Sequence, residues 1–563
     1  MKGFAGLVLA LASGVSAQSQ NSVSLSSADI RKILIERLAQ VGQNDDAHRS
    51  IGIVVGIIDP DGRRIVSYGA PDRGDSRPLN GDTIFEIGSV TKVFTSLLLA
   101  DMVQRGEVAL TDPVSKYLTP EVKMPERGGR TITLQDLATH TSGLPRLPGN
   151  MLPKNAANPY ADYTVTQLYE FLSAYSLPRD IGSQYEYSNL GGGLLGHVLA
   201  RRAGMDYETL VRSRICGPLQ MTSTAIVLSP ELKARLAVGH DAALNPVANW
   251  DLPTLAGAGA LRSSTNDLLS FLAANLGYTP SPLAPAMAAM LNLRRPTGTP
   301  NLEIALGWHV FTRFGNDIIW HNGGTGGYLS FIGYNPKTRA GVVVLSNEQS
   351  RIGIDDIGYH LLDARYELIG PPKRRTEISV DPKLLERLTG RYELAPSFVL
   401  TVTRQDTHLF AQATGQGLAE IFPETPKDFF YKIVDAQITF DTAEQGPATA
   451  LTLHQNGRDI PGKRIGDAPP ERHEVAVDPK LFDGYVGRYP LASGFELTIT
   501  READRLFVQA TGQPKFELFA ETSTKFFLKA VDAQITFVTD AQGKASSVVL
   551  HQNGRDLTGP RAQ

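Results

Sequence analysis

Three short patterns in this 563-residue chain carry side chains that could act together: Ser89-Val-Thr-Lys92, Tyr187-Ser-Asn189 and His321-Asn-Gly323. A serine hydroxyl is a weak nucleophile until a neighbouring base takes its proton, and a desolvated lysine with a lowered pKa can do that. Residues three apart share a helical face. Lys92 therefore sits one turn above Ser89 if Ser89 lies in the first turn of a helix. The apolar residues after it (Val93, Phe94, Leu97 to Leu99) predict a buried helix and argue against a solvated lysine. A helix start also offers backbone N–H groups and partial positive charge to an oxyanion. Each pattern alone arises about once by chance in a chain of this length. Their joint context is more specific, because each occurs once and each falls at the end of an element.

The elements that must hold these residues can be read from periodicity. From Asp29 to Val41, apolar residues at 30, 33, 34 and 38 predict a helix, with Ser26 or Ser27 as N-cap. "IGIVVGII", the turn "DPDG" and "RRIVSYG" predict a hairpin. Next come the Ser89 helix and a mostly helical stretch to about residue 275, with Tyr187 and Asn189 on a turn before a glycine-started helix. Strand patterns return in "IALGWHVF", "DIIWHNGG", "YLSFIGYN" and "GVVVLSN", and "DDIGYHLLDARYEL" closes with a helix. Strands at both ends with helices between them imply an α+β domain built on one antiparallel sheet.

On these motifs the chain resembles the penicillin-recognising serine hydrolases, the group of class C β-lactamases, D,D-peptidases, D-aminopeptidases and related esterases. That family's signature is Ser-x-x-Lys, then Tyr-x-Asn, then Lys-Thr-Gly or a variant such as His-x-Gly. "LATHTSGLP", "GAGALRSSTNDLLSF" and "ALGWHV" also look like the family, and the likeness spans roughly residues 28 to 366. The resemblance implies that Ser89 forms an acyl-enzyme and that Lys92 and Tyr187 share the proton traffic. It implies that Asn189 holds Lys92 and the substrate amide, and that His321 and Gly323 line the substrate site. The backbone N–H groups of Ser89 and Gly324 would form the oxyanion hole. His321 departs from the commoner lysine. Near its reference pKa a histidine is mostly neutral at pH 7 and offers a hydrogen bond in place of a fixed cation. That turns the expectation away from substrates with a carboxylate at this position.

Other candidates are set aside. His140 follows a helix opened by Thr133 and Asp136 and is read as structural. Cys216 is read as a buried hydrophobe. The chain has neither Gly-x-Ser-x-Gly nor His-Glu-x-x-His, and nothing in it demands a metal or cofactor.

The C-terminal third is a tandem repeat: "VDPKLLERLTGRYEL" at 380 returns as "VDPKLFDGYVGRYPL" at 477, and "VDAQITF" and "LHQNGRD" recur unchanged. Alternating runs such as "FVLTVT" and "HLFAQA" predict two small antiparallel β-barrels or sandwiches. No nucleophile with a partner is legible in either copy. The expected division is a signal peptide at 1–17, a catalytic domain at 18–370, and β-domains at 377–465 and 474–563. A formal charge of −3 leaves no basic field for nucleic acid or anionic lipid. "MKGFAGLVLALASGVSAQ" reads as a cleavable export signal, giving a periplasmic or secreted protein without membrane insertion. The expected partner is a small molecule or short peptide; oligomeric state is not legible. The leading reading is a D-aminopeptidase-like serine peptidase or amidase acting on short peptides that contain D-residues, linearised cyclic peptides among them. Carboxylesterase comes next, then β-lactamase or D,D-carboxypeptidase, and a penicillin-binding sensor is the non-enzymatic alternative.

Overall fold

The computed structural model describes residues 25–40, 51–349 and 352–370, and most of 375–562 apart from short stretches. The segment 1–17, expected to be an export signal, lies outside the described residues. The chain divides into two units, residues 1–371 and 372–563.

In the first unit, helix α1 (Ser27–Gln40) precedes the hairpin β1 (Gly52–Asp59) and β2 (Gly62–Gly69). Ser26 caps α1, its Oγ accepting from Asp29 N at 3.2 Å. Helices α2 (Thr91–Gln104), α3 (Asn189–Ala203) and α4 (Thr265–Asn275) fill the middle of the unit. Strands β3 (Arg295–Pro296), β4 (Leu302–Ile304), β5 (His309–Phe311), β6 (Ile318–Gly324), β7 (Leu329–Asn335) and β8 (Ala340–Ser346) follow, then helix α5 (Asp355–Leu362). The eight strands form one sheet in the order β2-β1-β8-β7-β6-β5-β4-β3. β1 is buried on both faces. Val54 and Ile58 join the core that contains α2, whereas Ile53, Val55 and Ile57 join the core beside α1 and α5. Side chains alternate across a strand, so one strand serves two cores.

α2 is buried all round from Thr91 to Met102, as expected of a helix at the centre of a domain. A short ribbon leads into it: Ile84–Glu86 pairs with Arg262–Ser264, and Arg262 meets Glu86 in a buried ion pair at 3.1 Å. The run "IALGWHVF" departs from the single strand expected. It folds as two short strands, β4 and β5, joined by a turn closed by Ala305 N donating to Trp308 O at 2.7 Å. Gly307 makes this turn possible with φ +70°; a Cβ there would lie 2.4 Å from Ser96 Oγ and 2.9 Å from Lys92 O. The turn is therefore pressed against α2 just where Lys92 sits.

The second unit contains both repeats. The first is a closed eight-stranded barrel running from Gly390–Ala395 to Arg458–Gly466. The second, from Gly487–Ala492 to Arg555–Pro560, has the same strand order as an eight-stranded sheet. Each encloses its own apolar core. On the outside of each, a histidine links a threonine to an aspartate: Thr439–His454–Asp459 and Thr536–His551–Asp556. The sequence reading found no such partnership. These chains tie neighbouring strands together, and Thr439 is also bound to Asp428 at 2.8 Å.

Candidate active site

Ser89 stands in a 3-10 turn, Gly88–Val90, that runs directly into α2. It thus precedes the α-helix proper, where the sequence reading places it in the first turn. The turn is pressed against the end of β6. A Cβ on Gly88 (φ +46°) would lie 2.8 Å from Gly324 N, and one on Gly323 would lie 2.1 Å from Ile87 O and 2.8 Å from Ser89 N. Only glycine allows this approach. Ser330 Oγ, donating to Ile87 O at 2.7 Å, ties β7 to the same turn. The backbone at Ser89 is thereby packed directly against the backbone at Gly323 and Gly324.

Lys92 is 3% exposed. Its Nζ lies 2.9 Å from Ser89 Oγ, 2.9 Å from Asn189 Oδ1 and 2.7 Å from Ala258 O. Burial, reinforced by the positive charge of Arg146, holds this amine well below the ordinary lysine value. α3 can come this close because its first turns are glycine. A Cβ on Gly192 would sit 3.0 Å from Lys92 Cε, and one on Gly196 would sit 2.8 Å from Gly257 Cα.

Burial pushes the Tyr187 phenol well above the usual value, against the opposing influence of the Ser89 hydroxyl. Its ring centroid is 4.8 Å from Lys92 Nζ and 4.5 Å from the His140 ring. His140 grips the chain on both sides of Tyr187: its O accepts from Glu186 N at 2.8 Å, and its Nδ1 accepts from Ser188 N at 3.1 Å. To do so it takes a left-handed conformation, φ +54°, unusual for a residue other than glycine. Through these contacts His140 holds Tyr187 in place. Asn189 opens α3, with Ser188 as N-cap, and its Nδ2 donates to Tyr160 OH at 3.2 Å.

His321 lies on β6 and is 1% exposed. Nδ1 is 2.6 Å from Asn322 O, while Nε2 has no protein partner among the described residues. Its ring is 5.1 Å from that of His309 and 6.2 Å from that of Tyr187. Burial, with His309 and Lys92 nearby, drives the His321 imidazole well below its usual value. The sequence reading placed it near that value. It is neutral for a stronger reason than expected. Burial, with the Lys92 amine close by, likewise takes His309 down to about 4. Asn322 turns to Asp355, whose carboxyl burial pushes up to about 7.

The fold thus gathers Ser89, Lys92, Tyr187 and Asn189 around one hydroxyl, with Gly323 and Gly324 on its flank and His321 behind. Sequence reasoning missed the carbonyl of Ala258, although its "GAGAL" segment stood out, because a backbone acceptor leaves no side-chain signature. It also missed Arg146 and His309. Among the described residues no group of His, Cys, Asp and Glu is arranged to hold a metal ion.

Residues 34–365 match the family model described as Beta-lactamase, and residues 374–464 and 471–561 each match a domain of unknown function, DUF3471. The chain is 32% identical over 310 residues to the D-alanyl-D-alanine-carboxypeptidase/endopeptidase AmpH of Escherichia coli K12, covering 52% of this chain and 78% of that one. A solved D-alanine carboxypeptidase, AmpC from Burkholderia cenocepacia, superposes with a TM-score of 0.51 at 26% identity, covering 60% of this chain and all of that one. A class C beta-lactamase shares the fold, with a TM-score of 0.52 at 23% identity over 61% of this chain and 98% of that one. Together with the three motifs meeting at one hydroxyl, these likenesses establish that the chain is an enzyme of the beta-lactamase family, the penicillin-recognising serine hydrolases.

Proposed function

We propose that this is an exported serine peptidase or amidase that cleaves short peptides containing D-residues through an acyl-enzyme on Ser89. The observation that carries the reading is the set of three contacts of Lys92. Asn189 Oδ1 and Ala258 O can only accept hydrogen bonds, so they take both N–H groups of a neutral amine. The remaining lone pair then faces the Ser89 hydroxyl at 2.9 Å. A lysine held well below its ordinary value favours this neutral state, so Lys92 is the base at rest, and Tyr187, its phenol held up, keeps its proton.

In the reaction that follows, Ser89 Oγ bonds to the substrate carbonyl carbon as its proton passes to Lys92 Nζ. The carbonyl oxygen becomes an oxyanion facing the N–H groups of Ser89 and Gly324. Collapse breaks the bond to the leaving amine. That amine takes the Tyr187 proton, and Lys92 restores it. Water then repeats the sequence on the acyl-enzyme, releasing the acid and Ser89. The D-residue preference draws on the substrates in the names of AmpH and the Burkholderia carboxypeptidase, both of which process D-alanine peptides. D-Aminopeptidase-like specificity is the finer reading within this class. Export rests on the N-terminal segment; among the described residues no helix is long and apolar enough to cross a membrane.

A carboxylesterase is the second reading, favoured by the neutral, buried His321, which asks no charge of the substrate. Hydrolysis of a D-amino-acid amide, a p-nitrophenyl ester and nitrocefin, measured side by side, separates the readings. Ser89→Ala should fold, lose all hydrolysis and escape labelling by a fluorophosphonate. Labelling at the wild-type rate would remove the mechanism.

A further inference from the structure

One more charge stands at the cleft beyond the groups that act on Ser89. Arg146 follows the "SGLP" turn, and its backbone carbonyl accepts from the first two residues of α3, Asn189 N at 3.0 Å and Leu190 N at 3.1 Å. These bonds fix it to the second motif. Its guanidinium carbon lies 5.2 Å from the centroid of the Tyr187 ring, the same ring that faces Lys92. The residue is exposed, and among the described residues its guanidinium meets no carboxylate. Two other arginines of this unit are committed: Arg262 to Glu86 at 3.1 Å and Arg295 to Asp136 at 3.2 Å.

An arginine held over an aromatic face is oriented before any ligand arrives. Its planar donor fork matches a carboxylate, and little further ordering is needed to use it. The alternative position for a substrate-facing cation, 321, holds a buried imidazole with only 1% of its surface exposed. We propose that Arg146 is the cation of this cleft that recognises an anionic group of the substrate, a carboxylate on the part that passes over Tyr187. The inference rests on Ser89 being the nucleophile. If Arg146 acted only through its field on Lys92 and Tyr187, anionic and neutral ligands would be affected alike.

Boronic acids test this without knowledge of the natural substrate. The Ser89 oxygen donates an electron pair to boron, its proton passes to Lys92, and a reversible tetrahedral adduct forms. Wild-type protein should bind 3-carboxyphenylboronic acid more tightly than phenylboronic acid. Arg146→Gln should cut that ratio by about tenfold, the size of one charge-assisted hydrogen bond. Arg146→Lys, which keeps the charge and loses the fork, should restore part of it. Two turnover ratios locate the carboxylate. Acetyl-D-Ala-D-Ala against its C-terminal amide reports on the leaving part, and p-nitrophenyl hemisuccinate against the butyrate reports on the acyl part. Equal affinity of the wild type for both boronates, or a ratio unchanged in Arg146→Gln, overturns the proposal. Failure of both boronates to bind the wild type would strike the Ser89 reading itself, and the inference with it.

Discussion

At the scale of the residue, the site depends on keeping a buried amine neutral. Burial does most of this for Lys92, and the positive charge of Arg146 adds to it. The sign of the second contribution can be tested. An ammonium on Lys92 has no lone pair for the Ser89 proton, so kcat/KM should fall as pH drops through the Lys92 pKa. A nearby cation disfavours that ammonium and lowers the pKa. Arg146→Gln removes the cation, so the Lys92 pKa rises and the acid limb for a neutral p-nitrophenyl ester moves to higher pH. The limb should stay well below the ordinary lysine range, because burial is unchanged. A pH profile in which the limb stays put, or moves to lower pH, contradicts this assignment. His321 and His309 complete the picture, since both are held neutral and add no second charge beside Lys92.

At the scale of the element, close backbone approach matters more than side-chain recognition. The 3-10 turn at Ser89, the end of β6 and the first turns of α3 all meet at glycines, and the spaces there admit no Cβ. Much of this was legible. The apolar runs of β1 and of β6 to β8 read correctly as strands, and they run nearly unbroken because both faces are buried. The turn at Ala305–Trp308 did not, because its apolar residues are buried as in a strand, and a turn packed on α2 has the same hydropathy. Nor could the sequence show how completely each barrel closes. In the first barrel, Tyr392 pairs with Arg464 and Glu393 with Lys463 across the closing seam. In the second copy the last of these pairs becomes Pro490 and Pro560, neither of which has an N–H to donate. No ladder is formed there among the described residues, and the ends are joined by Ala562 N donating to Arg488 O at 2.7 Å. Hydrogen exchange should therefore be faster in Gly487–Ala492 than in Gly390–Ala395. Equal protection of the two strands would mean that the second seam closes by some other set of bonds.

At the scale of the whole molecule, the catalytic unit satisfies itself. The described residues named around Ser89 all lie in the first unit. The two ends of the unit are tied to one another. Arg37 of α1 donates to Asp356 of α5 at 2.9 Å within the core, and Ile369 N donates to the same carboxylate at 2.7 Å. Among the described residues its two apolar cores contain none beyond 368, and the barrels have cores of their own. Units with separate cores can fold alone. A chain ending at Gly370 keeps every one of these bonds, so it should unfold in a single cooperative transition and retain hydrolysis of a p-nitrophenyl ester. If the repeats limit peptide length, the length preference for peptide substrates should broaden when they are gone. An unchanged length profile in an active, folded truncation would exclude that role. Aggregation or loss of ester hydrolysis would show that the repeats cover apolar surface the catalytic unit cannot leave open.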